Sequence, residues 1–289
     1  MAEQTIAELI AQLADDDKDK QQSVAIELIE LGEDAVPELI AGMGDENGQV
    51  RYLIAWVLGE IGSFDAANVL IGALADEEER VQDWAAKALG EIGDTRAVHP
   101  LIDVLRRSTN PSTRRNASAA LGWLGDSAAT IALIGVLRDD DPLARSAAAE
   151  ALGKVGTEVA IDPLIDALED SDEWVRLRAA SSLGSLRAMR AGEALQNTLR
   201  DSNEWVRYNG AISLGMLHYE PAFDDLLSVL QYDPNLNARR GAALALGYMQ
   251  DARALPTLKS ALRDQDSSVQ GAIVQALQLL GYDVGTGSV

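Results

Sequence analysis

The sequence predicts an all-α protein, an α-solenoid of about nine helical hairpins forming a curved right-handed superhelix. Three observations predict it. The dipeptide Leu-Gly recurs at Leu31-Gly32, Leu58-Gly59, Leu89-Gly90, Leu121-Gly122, Leu152-Gly153, Leu183-Gly184, Leu214-Gly215 and Leu246-Gly247, and Leu277-Gln278 continues the series. After the first interval the step is 31 or 32 residues each time, and a fixed period in this range marks a solenoid. Each period holds two segments with helical apolar spacing, and no stretch alternates with the period of two that a strand needs.

The elements follow in order. The first repeat, "LIELGEDAVPELIAGM", is irregular and lacks the Arg of later copies, so residues 1–43 read as an N-terminal cap. In each later repeat a first helix is carried by segments such as "AVHPLIDVL" and "AIDPLIDAL". Pro37, Pro100, Pro163 and Pro256 sit in the opening of such helices, where a missing N–H costs least. The second helix is carried by segments such as "VRLRAASSLGSL", in which Val175, Ala179, Ala180, Leu183 and Leu186 fall on one face. Its paired Ala residues let the next helix come close. Acidic turns such as "LEDSDEW" and "LRDDDPL" separate the helices and supply Asp, Ser and Asn as N-caps. The last repeat has Gln278 in place of its Gly, so 263–282 reads as a C-terminal cap and 283–289 as a disordered tail. Residues 1–282 are thus expected to be a single solenoid. Stacked at roughly 8–10 Å per helix, nine units make a rod on the order of 80 Å long.

Composition narrows the function classes. The formal charge of −22 repels phosphate backbones, so no nucleic acid is expected as a ligand. With no Cys the chain has neither disulfides nor thiolate chemistry, and the usual zinc spacings fail. "MAEQTIAELIAQLADDDKDK" has no basic start and no apolar run, so no signal peptide is expected, and no membrane span is expected either. A cytoplasmic location follows as the expectation. His99 and His218 lie in different repeats and cannot form one site. The glycines are read as serving helix ends rather than a phosphate loop. No catalytic or metal residues are expected.

The repeat, quoted as "EERVQDWAAKALGEIGDTRAVHPLIDVL" and "WVRLRAASSLGSLRAMRAGEALQNTL", resembles the HEAT repeat in the short form of the phycobilisome lyase-like proteins. The resemblance covers nearly the whole chain, from about Ile6 to Tyr282. "VRYLIAWVLGEIG" and "TRRNASAALGWLGD" look closer to the E-type bilin lyase subunit. The resemblance implies that the Val-Arg helices line a concave face.

Residues that the repeat does not need are the binding candidates. On each second helix the face away from the core takes the third, fourth, seventh and eleventh residues, counting the Val as first. This places Tyr52, Trp56, Trp84, Arg115, Trp123, Arg178, Tyr208, Arg240 and Tyr248 on that surface. Large aromatics beside Arg suit a binding face, because they contribute contact area at low side-chain entropy. Trp174 and Trp205 precede the Val and are read as staples packed under the inter-helix turn. Arg51, Arg114, Arg145, Arg176, Arg207 and Arg239 recur seven residues before the Leu-Gly, beside acidic turns, and are read as a structural ladder of Asp–Arg hydrogen bonds. Gln82 and Gln270 break that series.

The leading expectation is a non-catalytic scaffold that binds a protein partner on its concave face, with no cofactor. The resemblance suggests a phycobiliprotein or another antenna component as that partner. The alternative is a subunit of a bilin lyase, which would hold an open-chain tetrapyrrole against flat aromatic walls and work with a second HEAT-repeat subunit. An engineered repeat scaffold is the third reading.

Overall fold

The computed structural model describes residues 4–282. It falls into two compact units, Met1–Ala151 and Leu152–Val289, with the boundary inside one helix. The expected tail at 283–289 lies outside the described residues.

In the N-terminal unit short and long helices alternate. They are α1 (Ile6–Gln12), α2 (Lys18–Leu31), α3 (Val36–Gly42), α4 (Gly48–Ile61), α5 (Ala67–Ala73), α6 (Glu79–Ile92), α7 (Val98–Arg107), α8 (Pro111–Leu124) and α9 (Thr130–Val136), followed by α10 (Pro142–Val155), which spans the boundary. The C-terminal unit continues with α11 (Ile161–Asp166), α12 (Glu173–Ser185), α13 (Gly192–Asn197), α14 (Glu204–Leu217), α15 (Phe223–Tyr232), α16 (Leu236–Met249), α17 (Leu255–Ala261) and α18 (Ser267–Leu279). Short helices pair with the long helix that follows them, as in α3 with α4 and α15 with α16. The long helices then stack in order, α2 to α4 to α6 to α8 in the first unit and α12 to α14 to α16 to α18 in the second. Helices in two layers, each burying its apolar side on its neighbours, define an α-solenoid. Among the described residues there is no strand, and no helix is long and apolar enough to cross a membrane.

The local chemistry explains the boundaries. Asp17, Asn47, Asn110, Asp172, Asn203, Asn235 and Asp266 cap long helices by accepting hydrogen bonds from the backbone of the first turn. The core is aliphatic: Leu58, Leu89, Leu121 and Leu133 in the first unit and Leu183, Leu214, Leu246 and Leu277 in the second are fully buried.

Two sets of glycines do different work, where the sequence suggested only helix ends. Gly32 ends α2 at φ 59° with nothing within 4 Å of its Cβ position, but the glycines of the later Leu-Gly pairs lie inside their helices, and several mark where the next long helix touches. A Cβ on Gly59 would lie 2.8 Å from Ala88 Cβ, on Gly90 2.7 Å from Ala120 Cα, on Gly215 2.6 Å from Ala245 Cα and on Gly247 2.7 Å from Ala276 Cα. A second set, Gly62, Gly93, Gly125 and Gly156, closes the helices with φ between 67° and 77°. Further on Arg187, His218 and Gln250 hold the left-handed conformation, at φ 51°, 50° and 54°. A side chain is strained there. His218→Gly and Gln250→Gly are therefore each expected to stabilise the protein by about 1 kcal/mol. Urea unfolding measures this, and an unchanged or lower midpoint would show that these caps carry no strain.

Candidate functional site

The recurring arginines are tied into the turns. Arg51 donates from Nε and Nη2 to both oxygens of Asp76, at 2.8 and 2.7 Å, and from Nη1 to the Asp45 carbonyl at 2.7 Å. Arg114 grips Asp139 in the same way and reaches the Ser108 carbonyl at 3.0 Å. In the C-terminal unit Arg176 holds Asp201, Arg207 holds Asp233 and Arg239 holds Asp264. Each acid is the turn residue of the next hairpin, 25 or 26 residues on. That Asp also accepts a backbone N–H of its own turn, as Asp201 does from Asn203. Its carbonyl accepts from the next arginine, as Asp201 does from Arg207 at 2.8 Å. Arg145 donates to the Asp139 carbonyl at 2.8 Å. Gln21, Gln82 and Gln270 stand at the Arg position and donate to the carbonyls of Asp15, Asp76 and Asp264. The turn that follows Gln82 has Ser108 where other turns have Asp, so both partners change together. At that step Asp83 makes the link instead, accepting from Thr113 Oγ1 at 2.5 Å and from Asn110 Nδ2 at 3.3 Å.

Asp76, Asp139, Asp201 and Asp264 titrate low. The hydrogen bond from Arg114 holds the Asp139 carboxyl below the usual carboxylate range, with burial opposing it and the Asp141 backbone N–H assisting. Arg239 does the same to Asp264, again against the cost of burial.

The aromatic candidates lie elsewhere. Tyr52 and Trp56 on α4 and Trp84 on α6 meet on the long-helix face of the N-terminal unit. The indoles of Trp56 and Trp84 are 6.0 Å apart between centroids and tilted by 47°. Trp56 Nε1 donates to Glu60 at 3.0 Å, and Lys87 Nζ lies 4.6 Å from the Trp84 ring while pairing with Glu91 at 3.3 Å. Both rings are therefore held in place while staying half-buried. Arg80 lies over the Tyr52 ring at 4.7 Å. Together with Leu53, Gln49, Asp16, Lys18, Gln21 and Gln22 these residues line an open cleft of about 330 Å³. All of them come from α2, α4 and α6 or from the turn ahead of α2.

The remaining candidates are placed as follows. Trp123 on α8 is 50% exposed and rests its ring against Gly90, but it does not line the cleft. Arg115 on α8 is half-buried and also stands outside the cleft. Arg178, Tyr208, Arg240 and Tyr248 are half-buried on the long helices α12, α14 and α16 of the C-terminal unit. Trp174 and Trp205 are not staples: they are 51% and 39% exposed. Trp205 instead meets Tyr208 edge-on at 5.9 Å. Residues three apart share a helix face, and that spacing carried the signal. Arg80, which the sequence reading missed, stands four residues before Trp84 and was open to the same argument.

Helical hairpins stacked through close Gly–Ala contacts and tied by Arg–Asp pairs define the class as an α-solenoid of short repeats. The sequence profile of HEAT repeats matches residues 6–90, 36–106, 98–183, 161–235 and 223–286, so the chain belongs to the HEAT-repeat family. No curated protein matches it. Among solved structures it is similar to YibA from E. coli, at 21% identity and a TM-score of 0.63, covering 93% of this chain and 99% of that one. It is also similar to an engineered protein, at 20% identity and a TM-score of 0.54, covering 96% and 88%. A third match is the CpcE–CpcF complex of phycocyanin lyase from Nostoc, at 23% identity and a TM-score of 0.47, covering 86% and 95%. At these identities the likeness to YibA and to the engineered protein is one of fold.

Proposed function

We propose that this HEAT-repeat scaffold is non-catalytic and binds a protein partner, seating an exposed apolar side chain of that partner in the cleft of Tyr52, Trp56 and Trp84. The observation that carries the reading is the pairing of Trp56 with Trp84 across two consecutive long helices. The stack itself is built from Leu, Ala and Gly and does not use these rings. Two indoles kept half-uncovered, yet pinned by Glu60 and Lys87, are a preformed hot spot that pays little entropy on binding. Trp123 and Arg115 extend this surface, and Arg178, Tyr208, Arg240 and Tyr248 provide its counterpart on the C-terminal unit. The ladder arginines Arg51, Arg114, Arg145, Arg176, Arg207 and Arg239 serve the fold.

Selection of short peptides from a random library against the parent protein tests the proposal, each selected peptide being measured on Trp56→Ala and Trp84→Ala. The expected peptides carry a large apolar residue, and their affinity falls about thirty-fold in Trp56→Ala and Trp84→Ala while the melting temperature holds. Arg115→Ala is expected to weaken binding without lowering melting, whereas Arg114→Ala lowers both. Peptides that bind Trp84→Ala as tightly as the parent would defeat the proposal. A phycobiliprotein, the partner suggested by the sequence resemblance, is the first purified protein to run in the same assay. A free open-chain bilin is run beside it. Saturable Trp quenching with a shifted bilin band, lost in Trp84→Ala, would transfer the cleft to the bilin lyase reading.

A further inference from the structure

The C-terminal unit carries a second arrangement of cation and rings. Arg240 on α16 lies over the Tyr208 ring at 5.0 Å and near the Trp205 ring at 5.8 Å, both on α14. The two rings brace each other edge-on. Its sequence neighbour Arg239 is fully engaged, with both Asp264 oxygens on one side and the Asp233 and Pro234 carbonyls on the other. Arg240 differs in kind. Among the described residues it donates no hydrogen bond and forms no ion pair, although acids outnumber bases by 46 to 24 in this chain. Arg176, Arg207 and Arg239 in the same unit each hold a carboxylate. A guanidinium set over aromatic faces is pre-oriented, and its planar N–H fork matches a carboxylate. The bulk field of a chain at −22 repels acidic segments. A carboxylate would therefore be drawn here only by this local group.

We infer that Arg240, seated on Trp205 and Tyr208, is a docking point for a Glu or Asp side chain of an extended protein segment. The inference does not depend on the N-terminal cleft. The ring platform accepts the apolar part of the segment, and the fork accepts the carboxylate in a bidentate, charge-assisted pair. Arg240→Lys keeps the charge and loses the fork.

The test is fluorescence anisotropy with a fluorescein-labelled short peptide alternating Glu with Leu, compared with its Gln–Leu and Lys–Leu counterparts. The Glu peptide is expected to bind saturably and more tightly than either counterpart. Arg240→Gln is expected to weaken it about ten-fold, with Arg240→Lys also weaker than the parent. Trp84→Ala is expected to leave it unchanged, which separates this site from the cleft. Circular dichroism confirms that the variants are folded, and Arg240→Lys serves if Arg240→Gln is not. The inference is overturned if the peptide fails to bind, or if the parent and Arg240→Gln bind it equally. It is also overturned if the Gln peptide binds as well. Displacement of the peptide by inorganic phosphate at concentrations where free glutamate does nothing would assign the fork to phosphate and overturn the occupant named here.

Discussion

Asp76→Ala is expected to cost about 3 kcal/mol of stability. The reason is the state in which it leaves Arg51. The Arg51 side chain is 8% exposed and that of Asp76 13%, so the substitution leaves a buried guanidinium with the Asp45 and Glu46 carbonyls and, at 3.7 Å, the solvent-exposed Glu77 carboxylate. It also removes the acceptor for the Glu78 backbone N–H. The exposed pair Arg106–Asp103, at 3.8 Å, is the control. Arg106→Ala is expected to change stability by less than about 0.5 kcal/mol, since surface pairs contribute little. Equal effects in urea unfolding would show that the ladder is ornamental.

The same pairs set a pH dependence. Asp139 and Asp264 titrate below the ordinary range in the folded state, so their contribution is fully present above the unfolded value of about 3.9. It is lost as pH falls through the lower folded value. The difference in unfolding free energy between the parent and Asp139→Asn should be greatest near neutrality and close below about pH 4. Taking the difference cancels the general effect of the acidic surface.

Gly215→Ala is the second large effect, and its sign is the informative part. In an open helix Ala is favoured over Gly by about 1 kcal/mol. At Gly215 the added carbon would lie 2.6 Å from Ala245 Cα and 2.8 Å from Ala245 O, which are backbone atoms that cannot rotate away. Overpacking of this kind costs about 1–3 kcal/mol. Gly271 on α18 has nothing within 4 Å of the same position, so Gly271→Ala is expected to stabilise. Opposite signs at the two glycines, measured by thermal unfolding, support the close stacking of α14 on α16. A gain at both would contradict it.

These cases show what a single sequence makes legible. The Leu-Gly spacing and the helical periodicity of each segment disclosed the fold, because every hairpin solves the same packing problem with the same residues. They could not disclose why Gly follows Leu, since the reason is Ala245 in the next helix and not any local conformation. Gln82 looked like an error in the arginine series until Ser108, in another turn, proved to have changed with it. The cleft was half legible. Tyr52, Trp56 and Trp84 stood out as large rings off the core face, and Arg80 was within reach four residues before Trp84, but Gln49 and Lys18 join them only when three helices are brought side by side. Trp205 was misplaced because its position was judged against the repeat frame instead of against Tyr208, three residues on.

The Trp56–Trp84 cleft is the place where a partner is proposed to bind. Fluorine NMR of protein labelled with 5-fluorotryptophan reads each of the five Trp residues separately. On addition of a peptide selected against the parent protein, the Trp56 and Trp84 resonances are predicted to shift while that of Trp174 stays in place. Shifts confined to Trp123, Trp174 or Trp205, with Trp56 and Trp84 unmoved at saturation, would contradict the account.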